Sequence, residues 1–208
     1  GSLTMADYDF AKIEKKLSKY LDEDRFQHTM GVMYTSACLA MVHGYDIKDA
    51  QVSGLLHDCA KCIPNKKKLK MCSEHNIPVS DFERSHPFLL HSRLGAYIAH
   101  EKYGIDDQEI LSAINYHTTG RREMSLLEKI IYIADYIEPM RYKASRLPEI
   151  RKLAFEDLDE CMYEILKDTL EYLEENPKEI DSTTRDAYVY YKELHDRKMQ
   201  DAANRQED

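Results

Sequence analysis

Apolar residues recur every three or four positions along most of the chain, which is the spacing of one face of an α-helix. This pattern predicts helices over residues 10–21 and 26–41, the second of which ends before Gly44. A third helix is predicted to begin at Asp46, a residue type that caps helix N-termini, and to carry its apolar face as far as His57. The chain is therefore expected to open with three helices.

The helical pattern continues to the C-terminus, interrupted by a loop predicted over residues 77–85. A capping box at Ser125–Glu128 predicts the start of one helix, and residues 183–186 are predicted to cap the last. Residues 200–208 are polar, and we expect them to fray. The predicted helical segments are 65–75, 87–103, 107–116, from 125 to shortly before Pro139, 148–173 and the C-terminal helix.

The pattern also bears on fold class. No stretch convincingly alternates apolar and polar residues as a half-buried strand would, and no internal repeat is present. With 208 residues, the chain is long enough for one sizeable hydrophobic core and does not require a second. We therefore expect a single all-α domain over residues 1–208.

Two carboxylates stand inside apolar segments, where an ionised group is costly unless a cation or several donors satisfy it. Asp58 follows His57 and the apolar run 52–56, and Asp135 lies within the apolar segment 131–137. Neighbouring residues on a helix project about 100° apart, so His57 and Asp58 could chelate one ion only near a helix end. The remaining ligands must then come from other helices.

The types of these residues indicate a metal. Imidazole and carboxylate groups together suit iron, manganese or zinc. A site with few protein ligands leaves positions open to water and substrate, which is typical of catalytic rather than structural metal sites. The sequence therefore predicts a catalytic metal site built on His57 and Asp58, with His28 and Asp135 as distant partners.

Composition narrows the classes of ligand. The formal charge of −9 and the pI near 5.5 argue against binding to a nucleic acid polymer or an anionic membrane, and leave room for a small anionic ligand. No segment resembles a membrane span or a signal peptide, so a cytoplasmic protein is expected. The five cysteines are expected to be reduced thiols, and Lys66–Lys68 a solvated face.

The order of His28, the His57–Asp58 pair and Asp135 resembles that of the HD superfamily of metal-dependent phosphohydrolases. Four longer motifs narrow the resemblance to the YqeK family of symmetrical bis(5′-nucleosyl)-tetraphosphatases, over most of the chain. Ser92 departs from that family's pattern, which has a glycine after Leu-Leu-His. The four motifs are Gly54–Lys61 (GLLHDCAK), Leu89–His91 (LLH), Ala113–Gly120 (AINYHTTG) and Ile133–Pro139 (IADYIEP).

The resemblance implies an HD-type helical bundle around a metal site, and hydrolysis of diadenosine tetraphosphate at its central anhydride to give two ADP. It implies iron as the metal, with manganese or another divalent transition metal as the alternative. By the family pattern, the metal ligands would be His28, His57, Asp58 and Asp135, and the catalytic residues Asp58, Lys61, His91 and His117. The nucleotide contacts would be His28, Lys61, His91, His117, Thr118, Asp135, Arg141, Ser182, Thr183, Thr184, Arg185 and Asp186.

The implied residues suit a phosphate substrate. A metal in such a site would activate water for attack on phosphorus, and Lys61, Arg141 and Arg185 would neutralise charge on the phosphates. His91 and His117 would donate hydrogen bonds to phosphate, protonate the leaving group, or ligate a second ion. Of these arrangements we favour a site with one ion.

Plainer interpretations compete with this one. His28 could be an ordinary core histidine, and Asp58 and Asp135 could pair with arginines as buried ion pairs, although ion pairs leave the neighbouring histidines unexplained. Two other functions stay open. One is an HD phosphohydrolase acting on a deoxynucleotide, a guanosine alarmone or a cyclic dinucleotide, and the other is a nucleotide sensor without turnover. Homodimer formation is also left open.

Overall fold

The computed structural model describes residues 7–207, and within that range it is built from α-helices joined by turns and two short 3-10 segments, with no strand. The predicted all-α class is confirmed. The helices are α1 Phe10–Leu17, α2 Glu23–His43, α3 Ile47–Leu56, α4 Asn65–Glu74, α5 Asp81–Ser85, α6 Leu90–Tyr103, α7 Gln108–Asn115, α8 Leu126–Ile137, α9 Leu147–Ala154, α10 Leu158–Leu173 and α11 Ser182–Glu207.

Local sequence accounts for where several of these helices begin and end. The Asp46 side chain caps α3, and the predicted capping box of α8 is present, with Ser125 and Glu128 each accepting from the other's backbone N–H. Gly44 and Gly104 end α2 and α6 with φ angles of 78° and 70°, a left-handed conformation that glycine adopts without strain.

Helix α8 lies at the centre of the hydrophobic core and contacts α2, α3, α7, α9 and α10. Ile130, Ile133 and Ala134 on this helix are completely buried. Asp135 belongs to the same helix, so the packing that forms the core also fixes the position of this predicted ligand. The most extensive helix pairing in the fold is that of α2 with α3.

Several predicted boundaries were wrong. Residues 77–85 are not entirely a loop, because Ser80 and Glu83 form a capping box that starts α5. The segment 148–173 is two helices rather than one, because the Asp157 side chain accepts from the Glu160 backbone and begins α10 afresh. Helix α1 also ends earlier than predicted, at Leu17.

The C-terminal helix differs slightly from its prediction. The side chain of Asp181 accepts from the backbone N–H of Thr183 at 2.9 Å, so the cap lies before the threonines that were predicted to form it. Helix α11 continues to Glu207, and residue 208 lies outside the described residues, so fraying of 200–208 stays a prediction. Tyr191 on this helix anchors it, accepting from the backbone N–H of Met124 at 2.9 Å.

Two sequence expectations about the chain as a whole can be compared with the fold. All five cysteines are free thiols, as expected. Within the described range, no helix combines the length and the apolar character that crossing a lipid bilayer would need.

Gly54 allows α2 and α3 to approach each other closely. A Cβ atom at this position would lie 3.0 Å from the Cα atom of Met33 and 3.1 Å from the carbonyl oxygen of Val32. Both neighbours are backbone atoms and cannot rotate away. The absence of a side chain at Gly54 therefore sets the distance between the helix that carries His28 and the helix that ends at His57.

We predict that Gly54→Ala destabilises the fold by about 1–3 kcal/mol, the range found when extra volume is forced into a packed core. Chemical unfolding in the presence of a metal chelator measures this loss. Gly95→Ala on α6 is the matched control, because its Cβ would meet nothing closer than 3.5 Å. Because alanine has a higher helix propensity than glycine and meets no close neighbour here, we expect the free energy of unfolding of Gly95→Ala to stay within about 1 kcal/mol of the wild-type value. Equal stabilities for the two variants would contradict the prediction.

Candidate metal centre

Four predicted ligands converge from three helices. His28 lies on α2, His57 and Asp58 follow the last turn of α3, and Asp135 lies near the end of α8. One ligand atom from each side chain lies within 4.8 Å of the others. His57 occupies the C-cap position of α3, so the pair stands at a helix end, the arrangement that the sequence predicts for two adjacent residues sharing an ion.

The imidazole rings are all oriented in the same way. In His57, His91 and His117, Nδ1 lies 2.6, 2.6 and 2.7 Å from the carbonyl oxygen three residues earlier in the chain. A carbonyl oxygen only accepts, so Nδ1 carries the hydrogen and Nε2 keeps its lone pair when the ring is neutral. The Nδ1 atom of His28 faces the Glu138 carboxylate in the same manner. Four Nε2 atoms are thereby directed to the centre, as they are in metal sites.

The surroundings of His57 fit a metal better than an ordinary core histidine. Its Nε2 atom is buried and has no hydrogen-bond partner among residues 7–207, although it lies 3.2 Å from Asp58 Oδ2 and 3.4 Å from Asp135 Oδ1. A buried polar atom without a partner is costly. A cation bound between these three atoms would satisfy all of them, so the donor set fits a transition metal.

The electrostatics of the centre also favour a cation. Burial opposes a charge on His57, but the Asp58 and Asp135 carboxylates outweigh it and raise the pKa of His57 to about 10. Burial likewise opposes the negative charge of both carboxyls, yet the neighbouring imidazoles hold the pKa of Asp58 and of Asp135 well below the usual range. The two carboxylates therefore favour a positive charge at this position, and a bound metal ion would supply it.

Asp58 connects two groups of ligands, one at each carboxylate oxygen. Its Oδ2 atom faces His57 and His28, with His28 Nε2 at 3.7 Å. Its Oδ1 atom faces the Nε2 atoms of His91 and His117 at 3.6 and 3.3 Å. Those two Nε2 atoms lie 3.1 Å apart, and burial together with the charge of His117 lowers the pKa of His91 to about 3. His91 is therefore neutral beside Asp58.

Cationic side chains surround the centre. Arg25 reaches Asp58 Oδ2 at 3.1 Å, and Arg141 reaches Asp135 Oδ1 at the same distance. Lys61 lies in the turn after Asp58, and its charge contributes to the lowered pKa of His91. Arg25 and Arg141 remain partly exposed, so a phosphate could reach them from solvent.

A cavity adjoins the His91 and His117 side of the centre. Thr119, Ser182 and Thr183 line it together with Ser92. Ser92, which replaces the glycine expected there, places its Oγ atom 2.6 Å from the hydroxyl of Thr118. The cavity therefore has several hydroxyl groups beside the predicted phosphate position.

Helix α11 supplies one wall of this cavity. The hydroxyl of Thr184 donates to the carbonyl oxygen of Thr119 at 3.0 Å and joins α11 to the loop after α7. Arg185 and Asp186 were predicted as nucleotide contacts, but both are exposed and neither is among the residues that line the cavity. Their predicted role has no support from this geometry.

Sequence reasoning missed two residues of the centre, Glu138 and Arg25, and misjudged the exposure of Lys68. Glu138 is completely buried against His28, in space that Gly31 leaves free. Arg25 stands three residues before His28, a helical spacing that could have revealed it. Lys68 was predicted to be solvated, but it is buried, and burial lowers its pKa. The burial of Lys68 results from tertiary packing, which the local sequence does not encode.

Comparison with known proteins gives consistent results. The HD domain family model matches residues 25–140. The chain is 40% identical over 157 residues to the Bacillus subtilis protein named symmetrical bis(5′-nucleosyl)-tetraphosphatase. The aligned region covers 76% of this chain and 83% of the Bacillus protein. A protein of the same name from Staphylococcus aureus is 36% identical to this chain, and the aligned region covers 85% of this chain and 92% of that protein.

A solved structure is similar as well. A crystal structure from Clostridium acetobutylicum, described as that of an HD superfamily hydrolase involved in NAD metabolism, superimposes with a TM-score of 0.86. The two sequences are 38% identical, and the superposition covers 91% of this chain and all of the Clostridium chain. The likeness therefore extends over nearly the whole fold.

We predict that Glu138→Gln weakens metal binding about 10- to 100-fold, because the neutral amide does not increase the basicity of His28 as the carboxylate does. Titration of the metal-free protein with Mn²⁺ or Fe²⁺ measures the affinity. The matched control is Glu128→Gln, which alters another buried carboxylate that pairs with Arg121 away from the ligands. The role of Glu138 would be disproved if both variants bound metal as the wild type does.

Proposed function

This chain belongs to the HD-domain family, within the group of relatives named symmetrical bis(5′-nucleosyl)-tetraphosphatase, and from this membership we propose that it hydrolyses diadenosine tetraphosphate to two ADP. The observation that carries the proposal is the pair of ligand groups sharing Asp58, with cationic side chains around them. Such a centre offers both a position for a divalent metal and a surface for phosphates.

We propose that His28, His57, Asp58 and Asp135 hold the metal, with iron as the expected ion and manganese as the alternative. When bound, the metal would lower the pKa of a water molecule and polarise a phosphoryl oxygen. Support for this assignment is the convergence of the four ligand atoms and the unpartnered Nε2 atom of His57.

The cationic residues bind and orient the phosphates in this proposal. Arg25 and Arg141 donate hydrogen bonds to the carboxylates of Asp58 and Asp135. Each guanidinium group has further N–H groups that can donate to a phosphate. Lys61 adds a point charge near His91. The positive charges would stabilise the negative charge that develops on the phosphoryl oxygens as the anhydride breaks.

His91 and His117 would handle the proton. Both Nδ1 atoms donate to backbone carbonyls, so the two Nε2 atoms, 3.1 Å apart, need either a proton or a second ion between them. In the arrangement with one ion, the two rings share this proton. One of them would then donate it to the oxygen of the departing ADP.

We favour the arrangement with one ion. The shared proton already satisfies the two Nε2 atoms, and a second ion would have to displace it. The same atoms and Asp58 lie close enough together to ligate a second ion, so the metal content of the active protein separates the two arrangements. One ion per chain supports the shared proton, and two ions would make His91 and His117 ligands. The cytoplasmic location and the homodimer stay predictions.

We predict that the metal-reconstituted protein converts diadenosine tetraphosphate into ADP alone, and that His57→Ala abolishes the reaction. Chromatography of the products measures this outcome, and turnover in H₂¹⁸O should place one label in one of the two ADP molecules. His100→Ala is the matched control, because this histidine is partly exposed and bonds to a backbone carbonyl outside the centre.

Two other outcomes would favour the remaining functions. Release of pyrophosphate or triphosphate from a different nucleotide, with no turnover of diadenosine tetraphosphate, would retain the metal hydrolase and overturn the substrate. Binding of nucleotide without turnover, after loading with iron or manganese, would favour a sensor.

We predict that Arg25→Ala lowers kcat/KM for diadenosine tetraphosphate by about 10- to 100-fold, which corresponds to the loss of a hydrogen bond to a charged group. Metal content is measured on the same sample, since Arg25 also contacts Asp58. Arg197→Ala is the control, because Arg197 is exposed on α11. Unchanged kcat/KM with the metal bound would exclude Arg25 from phosphate binding.

A further inference from the structure

A symmetric substrate places a geometric demand on the site. Diadenosine tetraphosphate carries an adenosine at each end of four phosphates, and cleavage of the central anhydride leaves two phosphates on each side. The reacting bond must therefore lie between two nucleosides that are equally far from it. A site adapted to this substrate needs a place for a nucleoside in two directions from the metal ligands.

Two cavities adjoin the ligand groups. The first, lined by Thr119 and Ser182, adjoins the ligands that face Oδ1 of Asp58. The second is lined by Asp135 itself, with Arg141 and Tyr142. Asp135 belongs to the ligand group that faces Oδ2. The two cavities thus adjoin different ligand groups, and Asp58 belongs to both groups.

The second cavity is bordered by large apolar side chains that lack cover. Tyr142 is 80% exposed and Met140 is 63% exposed. An exposed aromatic ring beside a phosphate-binding centre provides a surface on which a nucleobase can stack. Tyr142 is flanked by Arg141 and Lys143, two cations that line the same cavity.

Hydrogen bonds between side chains and backbone groups hold the loop that carries Tyr142 in place. The Arg151 guanidinium donates to the carbonyl oxygen of Arg141 at 2.9 Å, and Arg141 donates through Nε to the carbonyl oxygen of Asp135 at 3.0 Å. The backbone N–H of Met140 donates to the buried Glu138 carboxylate. The position of the exposed ring is therefore tied to the ligand group through Asp135 and Glu138.

We propose that this loop is the subsite for the second nucleoside, with Tyr142 stacking on its base and Lys143 contacting its phosphates. The first nucleoside then occupies the cavity beside Ser182 and Thr183, and the central anhydride lies over Asp58. The inference rests on the proposed function, because it takes a dinucleoside tetraphosphate as the substrate. It assigns to Tyr142 and Lys143 a role that the motif resemblance does not imply.

Comparison of two substrates tests the subsite. Adenosine 5′-tetraphosphate has the same phosphates but only one nucleoside, and a symmetric cut would give ADP and pyrophosphate. We expect the wild type to prefer the dinucleotide, and Tyr142→Ala to lower that preference in kcat/KM about tenfold, within the usual effect of removing one stacking partner. Tyr172→Ala is the matched control, since Tyr172 is 78% exposed on α10.

A binding measurement separates the subsite from the proposed function. The chain has no tryptophan, so Tyr142→Trp places one tryptophan at the proposed stacking position, and its fluorescence can be excited selectively over that of the tyrosines. The proposal expects stronger quenching by diadenosine tetraphosphate than by adenosine 5′-tetraphosphate. Equal quenching by both, or an unchanged substrate preference in Tyr142→Ala, would overturn the subsite while leaving the hydrolase intact. Absence of ADP from both substrates would instead refute the function, whatever the quenching result.

Discussion

The buried carboxylate of Asp58 is the group on which the arrangement of the centre depends. An ionised carboxylate removed from water is stable only when positive charge or donors surround it. Here His57, His117 and Arg25 supply that environment, and each comes from a different part of the chain. The need to satisfy one acid therefore explains why three helices end or cross at this point.

Burial of the acid also explains why the surrounding packing is so closely fixed. The ligands lie on helices whose other faces form the hydrophobic core, and α8 contributes both Asp135 and the fully buried Ile133. The absence of a side chain at Gly54 sets the spacing of α2 and α3. The absence of a side chain at Gly31 leaves room for Glu138. The core thus orients the proposed ligands, and a change in helix spacing would change the distances between them.

Much of the fold and the centre could be predicted from the sequence because the relevant patterns are local. Helical periodicity gave most of the helices, and an acid in an apolar run identified Asp58 and Asp135. Boundaries set by a single side chain, such as the capping of α10 by Asp157, were harder to see within a continuous amphipathic segment. Lys68 was misjudged because its burial arises only when distant helices pack, whereas the helical spacing of Arg25 from His28 is visible in the sequence.

The hydrogen bonds that hold α11 have a consequence for how the protein is made. Thr184 and Tyr191 attach this helix to the loop that follows His117, and the same helix lines the first cavity. During synthesis, every proposed metal ligand leaves the ribosome before this wall does. A nascent chain that has not reached Ser182 already possesses all four of these side chains, whereas the cavity beside them is completed only with the last helix.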